Sequence, residues 1–314
     1  MSRRGPVCWC HSLSDLAVRI LVTGASGFIG THLMGRLTAE AHEVFVLPSA
    51  RFGGERLAGM RYAMVERASD AGAEVVYHLA GTPLETAVPD HEHASVVVGG
   101  MTRLLEELRG TPGPGPLRRL VVAGSAAEYG PGHGWRETDA PQPDTVFGMM
   151  KLAAGDLARA SGLGSVVLRL FTPFGEGEPA RRLVPSVARA ALAGEPVRLR
   201  STGTQTRDYF YVSDAVDALV EAGRRPLEPG VVINICTGVE RRVIDVARRI
   251  AELSGSRAPV EAGLDQPTEM ARSSGDPERA RRLLGWRPRV DFDEGLRRAI
   301  GWCGRLQQQE QEPR

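Results

Sequence analysis

Lysine is almost missing from this chain: of 39 basic residues in 314, only Lys151 is not arginine. A coding bias accounts for the arginines, so their number alone carries no function. Against 38 acidic residues the net charge is only +1, which argues against nucleic acid or an acidic membrane surface as partner. Cysteine is scarce as well. Cys8, Cys10, Cys236 and Cys303 form no disulfide framework in a chain of this length, which points to a reducing, cytoplasmic compartment. Cys8-Trp9-Cys10-His11 lacks a second ligand pair at the usual spacing, so no metal site is expected. No sustained apolar stretch follows Arg3 and Arg4, and no run reaches transmembrane length, so neither a secretory signal nor a membrane span is expected.

What remains is ample for a large core: 42% of the residues are apolar, enough for one large unit or two closely joined domains. "VRILVTGASGFIG" reads as a buried strand, a glycine-rich turn and a helix; "EVFVLPS", "AEVVYHLAG", "LRRLVVAGS" and "GSVVLRLF" repeat the apolar strand pattern with helical stretches between. Such alternation predicts an α/β fold, a Rossmann-type doubly wound parallel sheet, followed by a smaller C-terminal α/β substrate-binding domain. The expected division is a flexible extension over residues 1–17, a dinucleotide-binding domain over 18–175 rejoined by a segment near 205–236, a substrate domain from 176–204 and 237–304, and a flexible tail over 305–314.

Gly24-Ala25-Ser26-Gly27-Phe28-Ile29-Gly30 places glycines at a G-x-x-G-x-x-G spacing at the first strand–helix junction. There the backbone can approach a pyrophosphate, whose charge meets the free N–H groups and dipole of the helix start. The second strand ends in Leu47-Pro48-Ser49-Ala50-Arg51, without the carboxylate that usually holds the adenosine ribose. Ser49 and Arg51 suit a 2′-phosphate instead, which favours NADP over NAD.

With these motifs in order, and with "VVYHLAG", "GSAAEYG", "VFGMMK", "LRLFTPFG", "QTRDYFYVSD", "NICTG" and "LLGWRP", residues 18–303 resemble the extended short-chain dehydrogenase/reductases, specifically their nucleotide-sugar epimerase/dehydratase/reductase branch. The resemblance implies cofactor contacts at Gly24, Ser26, Gly27, Phe28, Ile29, Gly30, Leu79 and Ala80. It implies that Ser125 bonds the reacting oxygen and that Lys151 binds the nicotinamide ribose. The family tyrosine, which serves as acid and base, is here Phe147, and a family asparagine is Val97. Dehydratase carboxylates after the serine are replaced by Ala126 and Ala127, while Glu128 falls one position late and is expected to face away. Tyr129, Glu128, His133, His91 and His93 are the alternative proton donors in sequence reach; Tyr77 and His78 read as structural.

On the substrate side the resemblance assigns Arg207 and Arg272 to a nucleotide diphosphate and puts Thr172 where the family has an asparagine. The implied activity is a nicotinamide-dependent reductase or epimerase acting on a nucleotide-activated ketosugar or sugar. The alternative is a catalytically disabled dinucleotide-binding sensor or partner subunit, which Phe147 and Val97 favour. Family members pair through two helices, matched here by "VVVGGMTRLLEELR" and "MMKLAAGDLARA", so a homodimer is expected; the same apolar positions could instead be internal core.

Overall fold

A computed structural model describes residues 17–49, 53–82, 89–109, 116–264 and 271–311. In chain order its strands are β1 (Arg19–Thr23), β2 (Glu43–Leu47), β3 (Ala63–Met64), β4 (Val75–His78), β5 (Arg119–Ser125), β6 (Gly132–Trp135), β7 (Ser165–Leu170), β8 (Thr172–Phe174), β9 (Val197–Arg198), β10 (Thr206–Tyr211), β11 (Val231–Ile235), β12 (Glu240–Arg242), β13 (Val260–Glu261) and β14 (Ser273–Gly275). The helices are α1 (Phe28–Ala39), α2 (Asp90–Ala94), α3 (Gly100–Arg109), α4 (Val146–Ala160), α5 (Leu183–Leu192), α6 (Val212–Arg224), α7 (Val243–Leu253), α8 (Glu278–Leu284) and α9 (Phe292–Gln311).

The apolar runs of the sequence become one seven-stranded sheet in the order β11-β7-β5-β4-β1-β2-β3, parallel throughout. Alternate residues of each strand enter different cores, as a period of two requires. Leu120, Val122 and Val167 pack with Met101, Leu104, Ala154 and Ala158 beneath α3 and α4. Val121, Val166 and Leu168 pack on the other face with Leu33, Leu37, Val216 and Leu219 of α1 and α6. Burial on both faces explains why these strands read as continuous apolar runs. Strand order reverses between β1 and β4, and the crevice at the carboxyl ends of those two strands is where such sheets bind ligands.

A second, smaller core joins α5, α7 and α9 to the aromatic face of β8 and β10, with Phe174, Tyr209, Tyr211, Val187, Ile250 and Leu296 buried together. Here β10 is the centre of a three-stranded sheet, β12-β10-β8, while β11 returns to the main sheet beside β7. The polar C-terminal stretch read from sequence as a loose tail is instead helical to Gln311. Long-range contacts hold it: Arg189 pairs with Glu310 at 2.6 Å, and the Gln307 amide donates to the Arg189 carbonyl. Among the described residues no helix is long and apolar enough to cross a membrane.

Candidate functional site

The glycine turn is shaped by what lies across it. Gly24 has φ +73°, and a Cβ there would sit 2.6 Å from the amide nitrogen of Ala80, at the end of β4. No other residue fits that combination of left-handed backbone and close approach. The turn closes with the Gly27 N–H on the Gly24 carbonyl, and α1 begins at Phe28 with no side chain capping its first N–H groups. Those uncapped donors beside Leu79 and Ala80 fit the pyrophosphate of a dinucleotide. Ser26 Oγ accepts from the Gly53 N–H, tying the turn to the chain beyond β2. Phe28 and Ile29 pack against the second core, so α1 starts at the seam between the two. Ser49 is exposed two residues beyond Leu47, whose strand partner is Thr23. Arg51 lies outside the described residues, as do Cys8, Cys10 and His11.

Ser125 ends β5 and starts a single turn of 3-10 helix, its Oγ accepting from the Ala127 N–H at 3.2 Å. The N-terminal part of α4 lies directly on this turn. A Cβ at Gly148 would meet the Ala127 carbonyl at 2.3 Å, so only glycine lets the helix approach so closely. Thr145 caps α4 by accepting the Gly148 N–H. One and a half turns along, Lys151 Nζ donates to the Ala123 carbonyl at 3.0 Å, two residues before Ser125 on β5. Gly81, which follows Leu79 and Ala80, faces the same ammonium. Lys151 is therefore anchored to the strand that ends in Ser125, beside the Leu79–Gly81 segment that faces the glycine turn. Burial pulls the Lys151 pKa down, and the Glu128 charge opposes that pull. Phe147 lies on the same helix, its ring centroid 6.0 Å from Lys151 Nζ.

The alternative proton donors do not gather here. Glu128 is 1% exposed; Oε1 accepts the Ser125 N–H at 2.8 Å and Oε2 accepts Arg169 Nε at 2.7 Å. It turns behind the serine, as its displaced position implied. Tyr129 is fully buried, stacked on Trp135 with centroids 5.2 Å apart, and donates to Asn234 Oδ1. His133 and His91 are exposed, on β6 and α2. His93 is buried against the Thr82 hydroxyl. Val97 sits in a π-helical turn joining α2 to α3 and is core. His78 is buried against Thr23 Oγ1, and burial together with the Lys151 charge pushes its pKa down to about 3. Burial raises the Tyr77 hydroxyl.

On the substrate side, Thr172 of β8 pairs with Tyr209 of β10, so Thr172 shares a sheet face with Arg207, two residues before Tyr209. Arg272 is brought beside them by backbone, the Thr206 N–H donating to the Ala271 carbonyl. Its guanidinium, however, grips Glu240 Oε2 at 2.8 Å. Two side chains at the seam carried no sequence signal: Arg56 donates to the carbonyls of Ser26 and Gly177, and His32 bonds the Glu176 carbonyl at 2.7 Å. All three contacts join residues more than 25 apart, with no local pattern to mark them.

Comparison with known proteins shows the family. A family model described as the NAD dependent epimerase/dehydratase family matches residues 20–236. A UDP-glucose 4-epimerase of Mycolicibacterium smegmatis is 30% identical, covering 90% of this chain and 97% of its own length. A dTDP-6-deoxy-L-talose 4-dehydrogenase (NAD(P)(+)) of Kitasatospora kifunensis is 32% identical over 89% of this chain and 93% of its own. Among solved structures, MoeE5 in complex with UDP-glucuronic acid and NAD superposes with a TM-score of 0.82 at 31% identity, over 91% of this chain and 99% of that one.

Proposed function

Because the chain belongs to the NAD-dependent epimerase/dehydratase family, we propose that it is an epimerase or reductase acting at a ring carbon of a nucleotide-linked sugar. The observation that carries this reading is the bond from Lys151 to Ala123, on the strand that ends in Ser125. A nicotinamide bound there would supply the hydride acceptor and donor. Oxidation of a sugar alcohol moves a hydride from carbon and a proton from oxygen; returning the hydride to the opposite face of the ketone carbon and the proton to its oxygen gives the epimer, and delivering both to a ketosugar in the same way gives the reduced product.

Ser125 Oγ already accepts the Ala127 N–H, so its O–H is left to donate to the reacting oxygen. Lys151 has three N–H donors and spends one on Ala123, leaving two for ribose hydroxyls. An arginine fork would not fit that compact role. Phe147 cannot exchange a proton, so the proton passes through solvent, and turnover is slower by ~10²–10⁴-fold than with a positioned acid. Ala126 and Ala127 offer no base for elimination of water, which separates this chain from dehydratase chemistry.

The finer parts of the reading rest on particular residues. Ser49 and Arg51 support NADP in preference to NAD. Arg207 and Thr172 support binding of the sugar diphosphate. Homodimer formation is supported by Val96, Met149 and Leu157, which expose 40%, 47% and 38% of their surface on the helical stretches from α2 to α4; light scattering of the purified chain tests it. A second reading, a cofactor-binding protein without catalysis, is favoured by Phe147 and by Val97, an apolar core residue where the family has an asparagine. The deciding experiment follows UDP-glucose, UDP-glucuronic acid and dTDP-linked sugars by NMR for 4-epimer formation, and 4-ketosugars by NADPH absorbance. Conversion of any of them supports the enzyme. Dinucleotide binding without conversion or nucleotide-sugar binding supports the sensor.

A further inference from the structure

The loop that leaves β8 for α5 is held from across the seam at two successive carbonyls. His32 Nε2, on α1, donates to the Glu176 carbonyl at 2.7 Å, and Arg56 Nη2 donates to the Gly177 carbonyl at 3.0 Å. The loop is a tight turn, closed by the Glu178 N–H on the Gly175 carbonyl. Gly177 has φ +78°, and a Cβ there would lie 2.9 Å from the same guanidinium nitrogen, so glycine gives Arg56 its seat. On its other side the loop is fastened to the second core. Glu176 accepts the Tyr211 hydroxyl, and Phe174, where β8 ends, packs edge-on to the Tyr211 ring. The two strands so joined, β8 and β10, carry Thr172 and Arg207.

Arg56 reaches this loop from a fixed base. It belongs to a 3-10 turn beyond β2, Gly54–Leu57, whose Leu57 is buried in the main core. Its other terminal nitrogen, Nη1, donates to the Ser26 carbonyl at 3.1 Å, inside the glycine turn, while Ser26 Oγ takes the Gly53 N–H. One guanidinium thus bridges the turn that fits a pyrophosphate and the loop that opens the second core. A planar fork with donors on both arms suits two carbonyls at once, which a single ammonium would serve less well. The side chain is exposed, so the bridge adds little to the stability of the whole fold. Its effect falls on how the two halves sit together.

We propose that Arg56 is a positioning residue that latches the 175–178 loop to the glycine turn, so that a dinucleotide in one half and a nucleotide-linked sugar in the other tighten each other's binding. A dinucleotide that orders the glycine turn fixes the Ser26 carbonyl, and through the guanidinium it fixes Gly177 and the end of β8. The effect runs equally in both directions, because coupling between two sites is a single free energy. The assignment deepens the proposed function and rests on it.

Calorimetric titration of NAD and NADP into wild type, Arg56→Met and Arg56→Lys, each alone and with saturating UDP, dTDP or GDP, measures the coupling. In wild type the preferred diphosphate is expected to tighten the dinucleotide ~5–10-fold. In Arg56→Met that ratio should fall below ~2-fold, with diphosphate affinity in the dinucleotide-free protein unchanged and the melting temperature within ~2 °C of wild type. Arg56→Lys, with a charge but no fork, should give an intermediate ratio. Deuterium uptake over residues 172–183 reads the latch without a diphosphate: the dinucleotide should slow it in wild type and not in Arg56→Met. The inference is overturned, with the proposed function intact, if wild type binds both ligands without coupling, if Arg56→Met keeps the wild-type ratio, or if the dinucleotide protects the loop equally in both proteins. Wild-type protein that binds neither dinucleotide, or none of the three diphosphates, would overturn the sugar-nucleotide reading itself, and the coupling with it.

Discussion

Arg169 Nε donates to Glu128 Oε2 at 2.7 Å, with side chains only 4% and 1% exposed. The same carboxylate accepts the Ser125 N–H, and the Arg169 guanidinium lies 4.3 Å from the centre of the Tyr129 ring. The serine turn is therefore braced from behind by a buried ion pair. Such a pair adds little net stability when intact, because desolvation offsets the attraction, but breaking it strands a charge. Glu128→Gln is expected to destabilise the fold by ~3–5 kcal/mol. The double variant Glu128→Leu/Arg169→Met should recover much of that loss. Urea unfolding of the three proteins checks both statements, and a Glu128→Gln midpoint equal to wild type would show that the pair braces nothing.

His78 gives the fold a pH dependence of definite sign. Its folded pKa of about 3 lies below the ordinary 6.5, so between those values the unfolded chain binds the extra proton. Stability therefore falls as pH drops from 6.5 towards 3, by about 2 kcal/mol from this group at pH 5. His78→Gln should flatten that decline. Urea midpoints at pH 7.5 and pH 5 measure it, and an unchanged slope in the variant would assign the acid sensitivity to other groups.

Lys151 carries a cost in the free protein. Burial pulls its folded pKa below the ordinary 10.5, because the charged ammonium is poorly solvated in the fold. That cost is relieved only as pH rises through the lowered value towards 10.5. Lys151→Met is expected to melt ~2 °C higher than wild type without ligand. It should also lose most of the thermal shift that NAD confers. A variant that melts lower, or keeps its NAD shift, would contradict the role given to this residue.

The main sheet was legible because strands buried on both faces leave continuous apolar runs, and the glycine turn because its backbone geometry admits few residues. Lys151 stood out because the rest of the chain is so poor in lysine. What sequence did not convey depends on partners far apart in the chain. Glu128 meets Arg169 across 41 residues, and Arg189 meets Glu310 across 121. The latter contact turns an apparently loose tail into the end of α9. Strands of two residues, such as β3, β9 and β13, are too short to show any period. The capture of Arg272 by Glu240 needs the register of β10 with β12, which composition does not encode.

Phe147 is where the proposed chemistry is most exposed to test. The side chain sits one turn before Lys151, with its ring 6.0 Å from the ammonium, so a hydroxyl added to that ring would lie near a positive charge. Such a neighbour lowers a phenol's pKa and makes it a better acid–base group near neutral pH. If Ser125 and Lys151 are otherwise poised, Phe147→Tyr should raise turnover of a nucleotide-linked sugar by ~10²–10⁴-fold with little change in substrate KM, since the gain belongs to proton transfer and not to binding. Epimer formation by NMR and NADPH consumption with 4-ketosugars are read on both proteins. Measurable wild-type turnover with a large gain in the variant places the natural chain among slow enzymes that move the proton through solvent. Turnover in the variant alone makes the natural protein a binder whose catalytic centre lacks one hydroxyl. Equal turnover in both would mean that another group already serves as the acid, and the buried His93–Thr82 pair is then the first to substitute.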